Sequence, residues 1–329
     1  MFYGSIPNYL KRPLSLALVL FLVLPVAAQK TDEDVIRIDT DLVTFEATVT
    51  DANGQPVRGL KSKDFRILED GVERPVAFFE QQRRENFARP MSVVFALDVS
   101  GSMTYEELLK LRSALNIFTE RLANSDSYFA VMAFGMEVKT LQSFTNNNQK
   151  LGRSFDKLLR ETDGLSTHAY DAVDDAVRML NKKAPRVARG QVPMRKVVIL
   201  VTDGFPVGDT VEPATVIERA NKAEVSVFNV ILPSYSRRQT GSKPLPTPLD
   251  VSGLSDKTGG GSFYLTGDNY DAIFGKLAEE ITSTYLLAFY PDEAKRADGQ
   301  FHRVQIETLK GMQLKQNRAG YHAPKGKGN

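Results

Sequence analysis

The chain contains no cysteine, so disulfides, thiolate metal sites and a lipid-modified N-terminal Cys are all excluded. A protein that leaves the cell without disulfides must rely on its core or on a bound ion. Histidine is nearly as scarce. His168, His302 and His322 stand far apart in unlike contexts, and no pair has the spacing of zinc ligands. An excess of either charge is also missing. With 42 Lys and Arg against 40 Asp and Glu, nothing suggests a nucleic-acid surface. The first 28 residues hold Lys11 and Arg12 and no acid, so the two counts are equal without them. No internal repeat is visible, and low complexity is confined to the termini, as in "PKGKGN".

A run long enough to span a bilayer is absent too. "PLSLALVLFLVLPVAA" offers about fifteen apolar residues, where roughly 20 are needed. Lys11-Arg12 precedes it, and the small side chains of Val26-Ala27-Ala28 end it. Residues 1–28 therefore read as an export signal cleaved after Ala28, with a periplasmic or secreted product. An uncleaved N-terminal segment is the alternative, and the one route by which this chain would meet a membrane.

Composition is that of a globular protein, with 42% hydrophobic and 25% charged residues. Residues 29–34, "QKTDED", are polar and are expected to be disordered. Residues 35–81 read as a β-strand unit. Val43, Phe45, Ala47 and Val49 alternate onto one face, Asn53-Gly54 signals a hairpin, and Asp70-Gly71 joins a strand pair. "QQRRENFARP" is a polar linker. From Met91 the pattern changes. "SVVFALD", "SYFAVMAFG", "KVVILVTDG" and "EVSVFNVIL" are continuous apolar runs, as strands buried on both faces require. Amphipathic helices separate them, among them one with Leu108, Leu111, Leu115, Phe118 and Leu122 on one stripe. "MEVKTLQSF" reads as an edge strand, and "YDAIFGKLAEEITS" as a closing helix. Residues 91–284 are thus an α/β unit with a doubly wound, mostly parallel sheet. Residues 285–323 return to strands: "TYLLAFYPD", "GQFHRVQIETL" and "MQLKQNRAGY". The expectation is that 35–81 and 285–323 complete one β-sandwich with the α/β unit inserted between them; two separate β appendages are the alternative.

In an open parallel sheet, ligands bind beyond the carboxyl ends of the strands. Asp98 ends the first buried strand, and Asp98-x-Ser100-x-Ser102 sets three oxygen-bearing side chains on alternate residues of one loop. Asp203, in "VTDG", ends another strand. Two such carboxylates facing each other repel, and a divalent cation removes that cost. Carboxylate and hydroxyl oxygens with no sulfur or imidazole suit Mg²⁺ or Mn²⁺.

Asp98-Val99-Ser100-Gly101-Ser102 resembles the D-x-S-x-S signature of von Willebrand factor A (VWA) domains and integrin I domains, their metal-ion-dependent adhesion site. "GLSTHAYDAV" is similar to the family's threonine segment and aligns Thr167; "VTDG" is similar to its strand end and aligns Asp203. The resemblance implies metal ligation by Asp98, Ser100, Ser102, Thr167 and Asp203. Ser100, Ser102 and Thr167 would bind the ion directly and the two aspartates largely through water. An open position would accept a Glu or Asp carboxylate from a protein partner. Gly101, Met103 and His168 would lie on the rim. The flanks, from "DLVTFEATVTDANGQPVRGL" to "RAGYHAP", resemble the Acidobacterial type of exported VWFA-related protein. The function implied is an exported metal-dependent adhesion or interaction module, not an enzyme.

Other readings compete. Ser102 and Thr104 suit helix capping, with Glu107 completing a capping box on Thr104. His168 could serve as a base, yet no G-x-S-x-G elbow presents a nucleophilic serine. A Mg²⁺-dependent phosphotransferase or phosphatase with Asp98 as nucleophile would want a second Asp where Ser100 stands. A scaffold whose ion merely ties loops together is the structural alternative. Ser252, Ser255 and Asp256 form an incomplete echo of the metal loop and read as helix. The Pro-rich loop 233–249 is long, and its Arg237-Arg238 could meet an acidic partner.

Overall fold

The computed structural model describes residues 42–81, 89–101, 104–122, 126–160, 164, 166–188, 194–232 and 246–325. The export signal, residues 29–34, most of the linker after Gln81, Ser102, Met103 and residues 233–245 with Arg237-Arg238 lie outside them.

The chain begins with β1 (Val43–Thr50), β2 (Arg66–Glu69), β3 (Val72–Arg74) and β4 (Phe78–Gln81). Then come β5 (Met91–Asp98), α1 (Tyr105–Leu122), β6 (Tyr128–Phe134), β7 (Val138–Thr145), α2 (Asn148–Leu158), α3 (Ala169–Lys183), β8 (Arg195–Thr202), α4 (Pro213–Lys222) and β9 (Val225–Ile231). The short helices α5 (Pro248–Ser252) and α6 (Leu254–Lys257) lead to β10 (Ser262–Tyr264) and α7 (Tyr270–Thr282). Strands β11 (Thr284–Phe289), β12 (Phe301–Glu307), β13 (Gln313–Gln316) and β14 (Gly320–His322) finish the fold.

Every residue of β5 is buried, because its two alternating faces pack into two different cores. Val93, Phe95 and Leu97 join α1, α2 and α7 in one. Val94 and Ala96 join α3 and α4 in the other. The six-stranded sheet runs β10-β9-β8-β5-β6-β7, parallel throughout except for β7, which turns back antiparallel on β6. This is the doubly wound α/β class. The order reverses at β5: β6 and β7 continue the sheet on one side, and β8, later in the chain, begins the other side. The crevice at its carboxyl end opens between β5 and β8.

Strands from both ends of the chain share two further sheets, β13-β1-β11-β4 and β14-β12-β2-β3. Phe45, Ala47 and Val49 of β1, Tyr285, Leu287 and Phe289 of β11, and Ile67, Val304 and Ile306 of the facing sheet form their common core. The Asp70-Gly71 turn joins β2 to β3 with both residues left-handed (φ 48° and 84°). Asn53-Gly54 makes a tight turn, with Gly54 at φ 76°, but the hairpin it signals stops at a single bridge, Thr50 to Pro56. Pro56 has no N–H for a ladder, and β1 pairs instead with β11 and β13, which arrive from the far end of the chain. "MQLKQNRAGY" divides into β13 and β14, one for each sheet. The helix expected over "DVSGLSDKTGG", 250–260, is broken at Gly253 (φ 73°) into α5 and α6.

Where β1 meets the α/β unit, its outward face carries a charge. Glu46 binds Arg89 and the Nε of Arg195 (2.7 Å), and the Nη1 of Arg195 also donates to the carbonyl of Ile281 at 2.5 Å. Burial lowers the pKa of the Arg195 guanidinium, and the Glu46 carboxylate opposes that effect. This junction ties the first residue of β8 to β1 and to the end of α7.

Candidate functional site

The carboxyl ends of β5 and β8 lie side by side because Leu97 pairs with Val201, which sets Asp98 beside Thr202. The buried Asp98 uses both carboxylate oxygens. Oδ2 accepts from the Thr202 hydroxyl at 2.7 Å, and Oδ1 from the backbone N–H of Ser100 at 2.9 Å. Burial raises the Asp98 pKa, and the nearby Asp203 charge raises it further; hydrogen bonds from Ser100 and Thr202 pull the other way. The pair is thus costly while both carboxylates are charged and nothing neutralises them.

Backbone contacts bring a third segment to these two. Gly101 N–H donates to the Gly164 carbonyl at 3.0 Å. Thr167 and Val207 exchange both backbone bonds, 3.2 and 2.9 Å, in an isolated bridge. Thr167 and Ser100 are buried, Asp203 is half-buried, and Gly101 is exposed. Phe205 N–H donates to Asp203 Oδ1 at 3.1 Å. The described candidates Asp98, Ser100, Thr167 and Asp203 therefore sit on three segments cross-linked at one end of the sheet. Ser102 and Met103 lie outside the described residues.

His168 precedes the first residue of α3. Its Nδ1 lies 3.4 Å from Asp171 Oδ2, and its Nε2 occupies the space that a Cβ on Gly208 would take. The ring is packed between these partners. Asp171 in turn holds the following turn through the backbone of Thr210 and Val211. Thr104 caps α1 in the reciprocal arrangement with Glu107: Glu107 N–H donates to the Thr104 hydroxyl at 3.3 Å, and Thr104 N–H to the Glu107 carboxylate at 2.8 Å. Ser252 donates to the Leu249 carbonyl within α5, a local helix bond.

Sequence reasoning missed Thr202, whose role appears only once the β5–β8 register is known. It also missed Gly204. With φ 87° and a would-be Cβ 2.4 Å from the Thr247 methyl, that position admits no side chain without displacement. The "DG" dipeptide after an apolar run was the available signal for it.

The donor set fits a hard cation. It offers carboxylate and hydroxyl oxygens only, and its two aspartates repel each other. Among the described residues no group of three or more His, Asp or Glu side chains is gathered as a metal cage. An ion here would depend on two carboxylates and the hydroxyls.

Residues 92–241, from β5 into the segment after β9, match the family model of the von Willebrand factor type A domain. The chain thus contains a VWA domain over these residues. That family often mediates protein–protein interaction and adhesion, and its domains commonly bind a divalent metal ion. Mouse integrin alpha-M is similar at 26% identity over 182 residues, 52% of this chain and 15% of that protein's length. Among solved structures, a von Willebrand factor type A protein from Catenulispora acidiphila aligns with a TM-score of 0.46 at 13% identity, covering 76% of this chain and 74% of that one. The vWF domain of the type V pili tip protein Mfa5 from Porphyromonas gingivalis aligns with a TM-score of 0.43 at 13% identity, covering 59% and 95%.

Proposed function

We propose that this protein is an exported binding module that holds Mg²⁺ (or Mn²⁺) with Asp98, Ser100, Ser102, Thr167 and Asp203 and uses it to engage a Glu or Asp side chain of a partner protein. The observation that carries the reading is the buried Asp98 carboxylate, its pKa raised by burial and by Asp203, at a point where three cross-linked segments present only oxygen donors. When bound, the ion supplies positive charge and a coordination position for the partner's carboxylate. Asp98 and Asp203 supply the neutralising charge, Ser100, Ser102 and Thr167 the direct oxygens, and Thr202 holds Asp98 in place.

Both Asp98 oxygens are engaged by Thr202 and Ser100, which favours a fixed ligand over a nucleophile that must attack phosphorus. Export is supported by the basic and apolar leader in the sequence. No helix among the described residues is long and apolar enough to cross a membrane.

Thermal unfolding tests the metal. Ion bound to the native state alone stabilises by about 2.7 kcal/mol at a hundredfold excess over Kd. The melting temperature should rise with Mg²⁺ and return with EDTA. A temperature indifferent to both would end the reading.

A further inference from the structure

Large apolar side chains are not spread evenly over the described surface. Of the twelve that are exposed, Met136, Phe205 and Val207 stand beside the candidate metal site, and Tyr105 opens the helix that follows Asp98 in the chain. Met136, 55% exposed, lies over Gly164, whose carbonyl takes the Gly101 N–H. Val207, also 55% exposed, is bridged to Thr167. Phe205 follows Asp203 by two residues and donates its N–H to that carboxylate. Tyr105, 62% exposed, is the first residue of α1 and follows the capping Thr104. Three stretches of chain, the start of α1, the β6–β7 turn and the loop after β8, thus set oily side chains near the proposed ligands, although water-facing positions have no folding need for them.

The segments that carry the proposed ligands hold charge of one sign. Residues 98–109, 161–177 and 202–218, which contain all five proposed ligands, include Asp and Glu but no Lys or Arg. Asp171 and Asp209 are held there beside His168, and Asp209 has its pKa raised by burial and by Asp171. Within these segments only a bound cation would attract an anion, and acids such as Asp203, Asp171 and Asp209 stand close by. A partner with several clustered carboxylates would be repelled over a Debye length of about 10 Å at 0.1 M salt. One isolated carboxylate, with hydrophobic and basic neighbours, meets the ion, the oily side chains and the acidic segments at once.

Resting on the metal-bridge reading above, we infer that this face binds a lone Glu or Asp flanked by apolar and basic residues, and discriminates against acidic segments.

Fluorescent nonapeptides test this on the full chain in Mg²⁺. One carries a central Glu flanked by Leu and Lys, a second the same Glu flanked by Ser and Asp, and a third Gln in place of Glu between Leu and Lys. The first should bind about tenfold or more tightly than the second, a difference of about 1.4 kcal/mol, and should weaken as salt is added. Met136→Ser and Tyr105→Ser, with Mg²⁺ occupancy followed by calorimetry, should each reduce that advantage several-fold. Equal affinity of the first two peptides, a preference for the acidic one, no binding of any peptide to Mg²⁺-loaded protein, or indifference to both substitutions would overturn the inference. A different result marks failure of the underlying reading: the Glu and Gln peptides bind equally and EDTA changes neither.

Discussion

At the scale of single residues, Asp98 concentrates the argument. Its carboxylate is buried against Thr202 and Ser100 and repelled by Asp203, an arrangement that costs stability while both carboxylates are charged. Asp98→Asn keeps the shape and much of the hydrogen bonding while removing the charge. Without metal, the variant should therefore melt at the wild-type temperature or above. With saturating Mg²⁺ it should melt below the wild type, because it forfeits the ion. This reversal of sign, read by calorimetric melting in EDTA and in Mg²⁺, separates a metal ligand from a structural hydrogen-bond acceptor, whose loss would destabilise in both. The candidates Asp98, Ser100, Thr167 and Asp203 were each named from a local sequence pattern, and the fold brings their segments together. Thr202 was not, because the choice between it and its neighbour depends on the lateral register of two strands distant in sequence.

At the scale of elements, the turn between β2 and β3 and the start of β12 are locked through one imidazole. His302 is buried, with Nδ1 2.9 Å from Asp70 Oδ2 and Nε2 3.1 Å from Asp298. Carboxylates on both ring nitrogens call for a proton on each. Burial pulls the His302 pKa down, but Asp70 and Asp298 more than offset it and the net shift is upward. Asp70 itself is lowered to about 2, first by Lys295 and then by His302. A raised histidine stabilises fully below its unfolded pKa of about 6.5 and loses that contribution as pH rises through the folded value. A depressed aspartate stabilises above its unfolded value of about 3.9 and loses it as pH falls toward 2. Stability from this lock should be level between about pH 4 and 6.5 and decline on both sides. Melting curves from pH 5 to 8.5 should show the alkaline decline in wild type and a flatter one in His302→Gln. Equal slopes would show that His302 is not protonated in the fold. Each strand around this lock was readable from its own alternation. The pairing of His302 with Asp70 was not, because it joins residues more than two hundred positions apart, and the Asn53-Gly54 signal failed for the same reason: β1 found better partners in β11 and β13.

At the scale of the whole molecule, the junction of Glu46, Arg89 and Arg195 ties β1 to the base of β8 and the end of α7. Glu46 and Arg195 are almost fully buried, so the pair contributes less through its mutual attraction than it would cost if broken. Glu46→Ala leaves the buried Arg195 guanidinium without its carboxylate and should destabilise by about 3–5 kcal/mol in denaturant unfolding. Replacing Glu46 and Arg195 together by apolar residues of similar volume should recover most of that loss. A small effect for the single change would mean that water reaches the junction. The α/β class itself was readable from the buried strand runs alone. This junction was not, because a lone Glu in an alternating strand looks like any solvent-facing residue until the second layer is in place.

The central claim is that a divalent cation binds between Asp98 and Asp203, and isothermal calorimetry of the full chain with Mg²⁺ tests it most directly. One saturable site is predicted, with its heat abolished in Asp98→Asn. Absence of binding heat in the wild type, or a full signal retained by Asp98→Asn, would contradict it.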